Sequence, residues 1–189
     1  GANVVTTNTF GANPLKIDDV DKVVLSAVEN AKKARFASEQ YIALDIGPTG
    51  KLLKPLGTLD FEDAIASFAT TVRAGSEAGC DLIIIETMND PLEMKAAIIA
   101  AKENSSLPIF ATFVIDEKGN TMTGCDIDSM VAILEGLGVS ALGVNCSLGA
   151  DKLKKFVPRI VERASVPVIV NPNAGMPCVH DGKTCFDSS

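Results

Sequence analysis

The chain has 189 residues, is 47% hydrophobic and 22% charged, and carries a net charge of −7. That is enough for one substantial core, so a single globular domain over 1–189 is expected. The acidic balance (pI ≈ 4.7), with no clustered Lys or Arg, argues against nucleic acid or an anionic membrane surface as the main partner.

In chain order, short β-branched or apolar runs alternate with longer helical patterns. Strands are expected near 3–7, 41–45, 81–86, 108–115, 140–145 and 166–171, and helices near 17–38, 60–79, 90–104, 127–137 and 150–164. In the second helix, Phe61, Ala64, Ile65, Phe68, Ala69 and Val72 recur at helical spacing, while Glu62, Asp63 and Arg73 fall off that stripe. Its apolar face is expected to lie on a parallel sheet. Asp126 stands where it can cap the fourth helix, and Asn104-Ser105-Ser106 close the third.

Each strand closes on a polar group: Thr7-Asn8-Thr9, Asp45, Glu86-Thr87, Asp116, Asn145-Cys146 and Asn171-Pro172-Asn173. In a barrel all strand ends meet at one mouth, whereas an open sheet concentrates them at a switch point and often shows a GxGxxG, which is absent here. An α/β architecture is therefore expected, a (βα)8 TIM barrel represented by about six βα units. The abrupt start at Gly1-Ala2-Asn3 and the end at Ser188-Ser189 point to a piece of a longer protein that lacks the first and last strands. With no apolar run of roughly 20 residues to span a bilayer and no basic-then-apolar leader, a cytoplasmic location is expected.

The five cysteines are odd in number and form no CxxC pair, so reduced thiols are expected rather than a disulfide framework. Cys146, in Gly143-Val144-Asn145-Cys146-Ser147-Leu148-Gly149, ends a strand and precedes a helical segment. It could be a buried small hydrophobe, a nucleophile or a metal ligand. Glu86 ends the apolar run Leu82-Ile83-Ile84-Ile85, where a half-desolvated carboxylate suits a substrate ammonium or, more plainly, caps the next helix. Asp45-Ile46-Gly47-Pro48-Thr49-Gly50 reads as a turn, and without a following GK[ST] it is a poor phosphate cradle. Asn8, Thr9 and Asn173 offer neutral donors and acceptors. His180 is expected in a solvated loop, and the absence of a Lys from the expected strands disfavours a Schiff-base aldolase.

The segments TNTFGAN (7–13), DIGPTGKLLKPLG (45–57), IIETMND (84–90), GNTMTGCD (119–126), GVNCSLG (143–149) and NPNAGMP (171–177) form one ordered set. Together they resemble the homocysteine S-methyltransferase barrel, most closely its cobalamin-dependent branch. The resemblance implies methyl transfer to the thiol of homocysteine, giving methionine. It also implies a zinc ion held by three cysteine thiolates, with Cys146 the first; the other two, an adjacent pair in a Gly-Gly-Cys-Cys-Gly strand end, would lie beyond Ser189. Cys178 and Cys185 match no ligand position.

Zinc removes a thiol's proton outright, and three protein ligands leave a position open for the substrate sulfur. By the same resemblance Glu86 holds the homocysteine ammonium, Asn173 sits beside the metal, and Asn8 and Thr9 line the amino-acid pocket. Cobalamin would carry the methyl group on another module, with a folate-binding module beside it. Betaine- or S-methylmethionine-dependent relatives share the barrel and the zinc and remain alternatives, as does an inactive fragment with no complete site. With one thiolate of three, the chain alone is expected to bind zinc poorly and to be inactive.

Overall fold

The computed structural model describes residues 2–36, 40–175, 177–180 and 183–186, with backbone alone at Pro177, Cys178 and His180. Six parallel strands pair in sequence order: β1 (Val4–Thr6), β2 (Tyr41–Ile46), β3 (Leu82–Met88), β4 (Ile109–Phe113), β5 (Ala141–Gly149) and β6 (Val168–Asn173). Between them run α1 (Val20–Ala34), α2 (Phe61–Glu77), α3 (Pro91–Asn104), α4 (Ile127–Gly136) and the short α5 (Ala150–Leu153) and α6 (Val157–Arg163). Strands that alternate with helices and pair only with their sequence neighbours make a half-barrel, the arc of a (βα)8 fold.

Strand alternation sorts the residues. Ile42, Leu44 and Ile46 of β2, Ile83 and Ile85 of β3, and Leu142 and Val144 of β5 are buried in the core under the helices, with Phe68, Val72, Met94 and Ile98 packed on them. The intervening residues therefore face the inside of the arc. There β2 carries Asp45, β3 Glu86, β4 Thr112 and β5 Asn145, all near the carboxyl ends. The periodicity that builds the core also aims these polar groups at the mouth.

Local chemistry fixes the helix starts. Asp19, Asp90 and Asp126 cap α1, α3 and α4, accepting from Lys22 N, Leu92 N and Ser129 N respectively. The first helix is shorter than the expected 17–38 because Asp19 sets its start and Arg35 is already extended. The expected helix 150–164 divides into α5 and α6. Pro158 lies in the first turn of α6, where a missing N–H costs nothing but would interrupt a continuous helix.

The polar tail, expected as loop, contains an antiparallel hairpin, β7 (Pro177–His180) with β8 (Lys183–Phe186). The side chains of Cys178 and His180 lie outside the described residues, as does Ser189. Among the described residues no helix is long and apolar enough to cross a membrane.

Candidate active site at the carboxyl ends of the strands

Midway along β5, where its register with β6 breaks, Asn145 is buried and organises its surroundings. Its Nδ2 lies 2.7 Å from Glu86 Oε2, 2.8 Å from Thr87 Oγ1 and 3.6 Å from Cys146 Sγ. Its Oδ1 accepts from Thr87 N at 3.0 Å. One amide thus ties a half-buried carboxylate to an exposed thiol.

The backbone is strained at the same places. Asn8 (φ 55°), Thr87 (φ 63°) and Cys146 (φ 46°) are the non-glycine residues with left-handed φ among the described residues, and each stands at or just after a strand end. For a β-branched threonine this is a true outlier. The β3–β4 register breaks between Ile85 and Met88, and the β5–β6 register between Asn145 and Gly149, so Thr87 and Cys146 sit inside the irregularities. Such breaks re-aim side chains and are frequent beside active sites. Here they turn Cys146 out of the strand into the mouth. Ser147 secures the turn, its hydroxyl donating to Asn145 O at 2.8 Å and accepting from Ile115 N at 3.0 Å.

On the other side, Thr9 is buried with its hydroxyl 2.7 Å from Thr7 Oγ1 and donating to Asp45 O at 2.7 Å. Asp45 N donates to Thr7 Oγ1 at 3.1 Å. Thr9 therefore shapes the wall through bonds it already makes, while Asn8 is exposed beside it. Asn173, at the end of β6, is exposed and donates to Ser147 O at 3.4 Å. Glu86 and Cys146 are brought together through Asn145, Asn173 joins them through Ser147, and Asn8 and Thr9 stand across the arc.

Asp45 was read from sequence as the polar close of a strand and the first residue of a turn, with no role in the site. It is 5% exposed and stands on the strand beside Glu86, paired in register with Ile84. Burial, then the charge of Glu86 and the bond to it, push Asp45 up to about 7, against a smaller lowering by the Phe10 backbone N–H. Oδ1 of Asp45 is buried with no hydrogen-bond partner. The following Pro48-Thr49-Gly50 is no phosphate cradle: Glu93 of α3, buried, accepts from Thr49 N at 2.7 Å and Thr49 Oγ1 at 2.5 Å and pins that connection down.

Cys146 and Cys185 are exposed, whereas Cys80 is buried and Cys125 half-buried. Burial pushes the Cys80 thiol up to about 11, and Cys125, half-buried, is also raised by burial. Among the described residues no group of three His, Cys, Asp or Glu side chains is placed to hold a metal ion. Cys146 supplies one thiolate, and the described residues alone do not make a tetrahedral zinc site.

The family model described as homocysteine S-methyltransferase matches residues 1–188. The chain belongs to the homocysteine S-methyltransferase family. It is 30% identical over 193 residues to a methionine synthase of Mycobacterium tuberculosis (strain ATCC 25618 / H37Rv), a match that covers 94% of this chain and 16% of that protein. A methionine synthase of Mycobacterium leprae (strain TN) is 29% identical over the same length and coverage. The chain thus spans about 16% of the length of the curated relatives it matches.

Among solved structures, the metallated form of the homocysteine methyltransferase MmuM from Escherichia coli superposes with a TM-score of 0.81 at 23% identity, covering 93% of this chain and 68% of that one. The apo form of MmuM gives 0.74 with 92% and 66% coverage. These likenesses bear on the half-barrel, which they match closely.

Proposed function

We propose that the chain is the homocysteine-binding part of an enzyme that moves a methyl group to the homocysteine thiol, giving methionine. The observation that carries this is the single amide of Asn145, 2.7 Å from a carboxylate oxygen of Glu86 and 3.6 Å from Cys146 Sγ. A carboxylate and a thiol at that spacing suit the two ends of an amino thiol, with the ammonium on Glu86 and the sulfur beside Cys146. Asn8, Thr9 and Asn173 complete the rim of the pocket.

Cys146 contributes one ligand to a zinc ion whose remaining ligands come from outside the described residues. The methyl donor is cobalamin carried by another module of a longer methionine synthase, beside a folate-binding module. The motif DIGPTGKLLKPLG and the similarity to two mycobacterial methionine synthases support this donor. The 189-residue chain alone is inactive, and the whole protein works in the cytoplasm. Within the site, Glu86 orients the amino acid and Asn145 holds Glu86 in place. A charge-assisted bond from an ammonium to Glu86 contributes roughly 1.5–3 kcal/mol.

The test uses the whole protein. Glu86→Gln weakens homocysteine binding, read by calorimetry, by about tenfold or more while zinc content is unchanged. Cys146→Ser loses zinc and turnover together. Unaltered homocysteine affinity in the first variant, or stoichiometric zinc with normal turnover in the second, would overturn the assignment.

A further inference from the structure

Cys178 and Cys185 stand directly opposite each other in the ribbon of β7 and β8, in an antiparallel register with Pro177 against Phe186 on one side and Val179 against Thr184 on the other. Opposed residues share one face of a two-stranded ribbon, so the two cysteines fall on the face away from Val179 and Phe186. Opposed Cα atoms in such a ladder lie about 4.5–5.5 Å apart, inside the roughly 4.4–6.8 Å that a disulfide spans.

Among the described residues this ribbon is a sheet of its own and pairs with none of the six parallel strands. A lone two-stranded ribbon is marginally stable in water, and Val179 and Phe186 leave its other face exposed. A covalent cross-strand bond would fasten it. The remaining thiols are placed otherwise: Cys80 and Cys125 are wholly or partly buried, and Cys146 belongs to the mouth. Cys185 is exposed, its thiol donating to Lys183 O at 3.6 Å. Lys183, also exposed, lies on the same face and offers a cation to an anionic reagent.

We propose that Cys178 and Cys185 are a dithiol site, oxidised to a reversible cross-strand disulfide by a small anionic disulfide of the glutathione type. The inference does not rest on the homocysteine-binding reading. One cysteine thiolate attacks the small disulfide, whose S–S bond breaks and releases one thiol. The second cysteine attacks the resulting mixed disulfide and releases the second thiol. Two protein S–H bonds are lost and one S–S bond forms, while two electrons and two protons end on the small thiols. The ribbon follows β6, and its root at Gly175 stands against β5, where a Cβ on Gly149 would lie 3.8 Å from Gly175 Cα. The disulfide therefore fastens the chain beside the mouth without using Cys146.

The whole protein is equilibrated with mixtures of glutathione and glutathione disulfide, quenched by alkylation and digested with trypsin. Cleavage after Arg163 and Lys183 leaves Cys178 in peptide 164–183 and Cys185 in the next one. The disulfide joins these two peptides, and dithiothreitol separates them. At one glutathione ratio the linked-to-unlinked ratio is expected to be about tenfold higher for folded protein than for protein in urea, because the ladder holds the two residues together. Cys185→Ser, at an exposed position, abolishes the link and leaves a glutathione mixed disulfide on Cys178.

Cysteines that stay unlinked in the wild type over the whole range of mixtures overturn the proposal, whether they are free or carry glutathione. A link from Cys185 to Cys146 in place of Cys178 also overturns it. So does an equal yield in urea, since the ribbon would then contribute nothing. None of these outcomes touches the functional reading, which is judged by homocysteine affinity and zinc content.

Discussion

The carboxamide of Asn145 on β5 reaches past β4 to the third strand, donating to Glu86 Oε2 at 2.7 Å and to Thr87 Oγ1 at 2.8 Å while accepting from Thr87 N at 3.0 Å. One buried side chain therefore sets the direction of the carboxylate and also holds a threonine in a left-handed conformation.

Replacing Asn145 by Asp tests that double role. The aspartate can still accept from Thr87 N, but it cannot donate to Glu86 and places a like charge against it. At neutral pH the variant is expected to lose roughly 1–3 kcal/mol of stability. Urea unfolding measures this, and an unchanged midpoint would show that the amide is dispensable.

Stability should fall as pH rises toward neutrality. Asp45 holds its proton up to about 7 in the folded chain, against 3.8 for an ordinary aspartate carboxyl. Between those values the folded state binds the extra proton, so this group's stabilisation is complete below the lower value and lost as pH rises through the upper one. Glu93, raised chiefly by burial, acts in the same direction. Urea unfolding at about pH 5 and about pH 7.5 should give a higher midpoint at the lower pH, and Asp45→Asn should remove most of the difference. A midpoint that rises with pH in the wild type would mean that Asp45 is ionised in the fold.

Gly143 allows β5 and β6 to approach. A Cβ there would stand 1.8 Å from Ile169 O, a backbone atom of the paired strand. Gly143→Ala is expected to cost about 1–3 kcal/mol or more by forcing β6 away, and to disturb Asn173 at the end of that strand. Thermal melting reports the first effect. Amide exchange of β6 reports the second, and full protection there in the variant would argue against it.

Much of this was legible in the sequence, since apolar runs and helical stripes are local signals. Six strands and the helix cap at Asp126 follow from residues a few positions apart, whereas the caps at Asp19 and Asp90 were not read. Glu86 and Cys146 stood out as polar groups closing apolar strands. Asp45 also closed a strand but was given no place in the site, because Gly47, Pro48 and Gly50 after it read as a turn and Glu86 is a whole βα unit away. Asn145 was visible only as a neighbour of Cys146, since its bonds run to β3 and not to an adjacent strand. Thr87 carried no signal, threonine being a poor choice for positive φ. The hairpin of β7 and β8 was missed, the segment being expected as loop, although the sequence has Asp-Gly between its two strands, a dipeptide strongly associated with hairpins.

The left-handed Asn8, Thr87 and Cys146 set selection for durability against selection for work. Each such residue costs about 1–2 kcal/mol that glycine would not, in a domain whose whole margin is roughly 5–15 kcal/mol. A library of this chain sorted only for heat resistance should therefore drift to glycine at 87 and 146 and shed the thiol in doing so. One sorted, within the whole protein, for the methionine formation proposed above should keep both strained residues and gather its stabilising changes in the helices on the far side of the sheet.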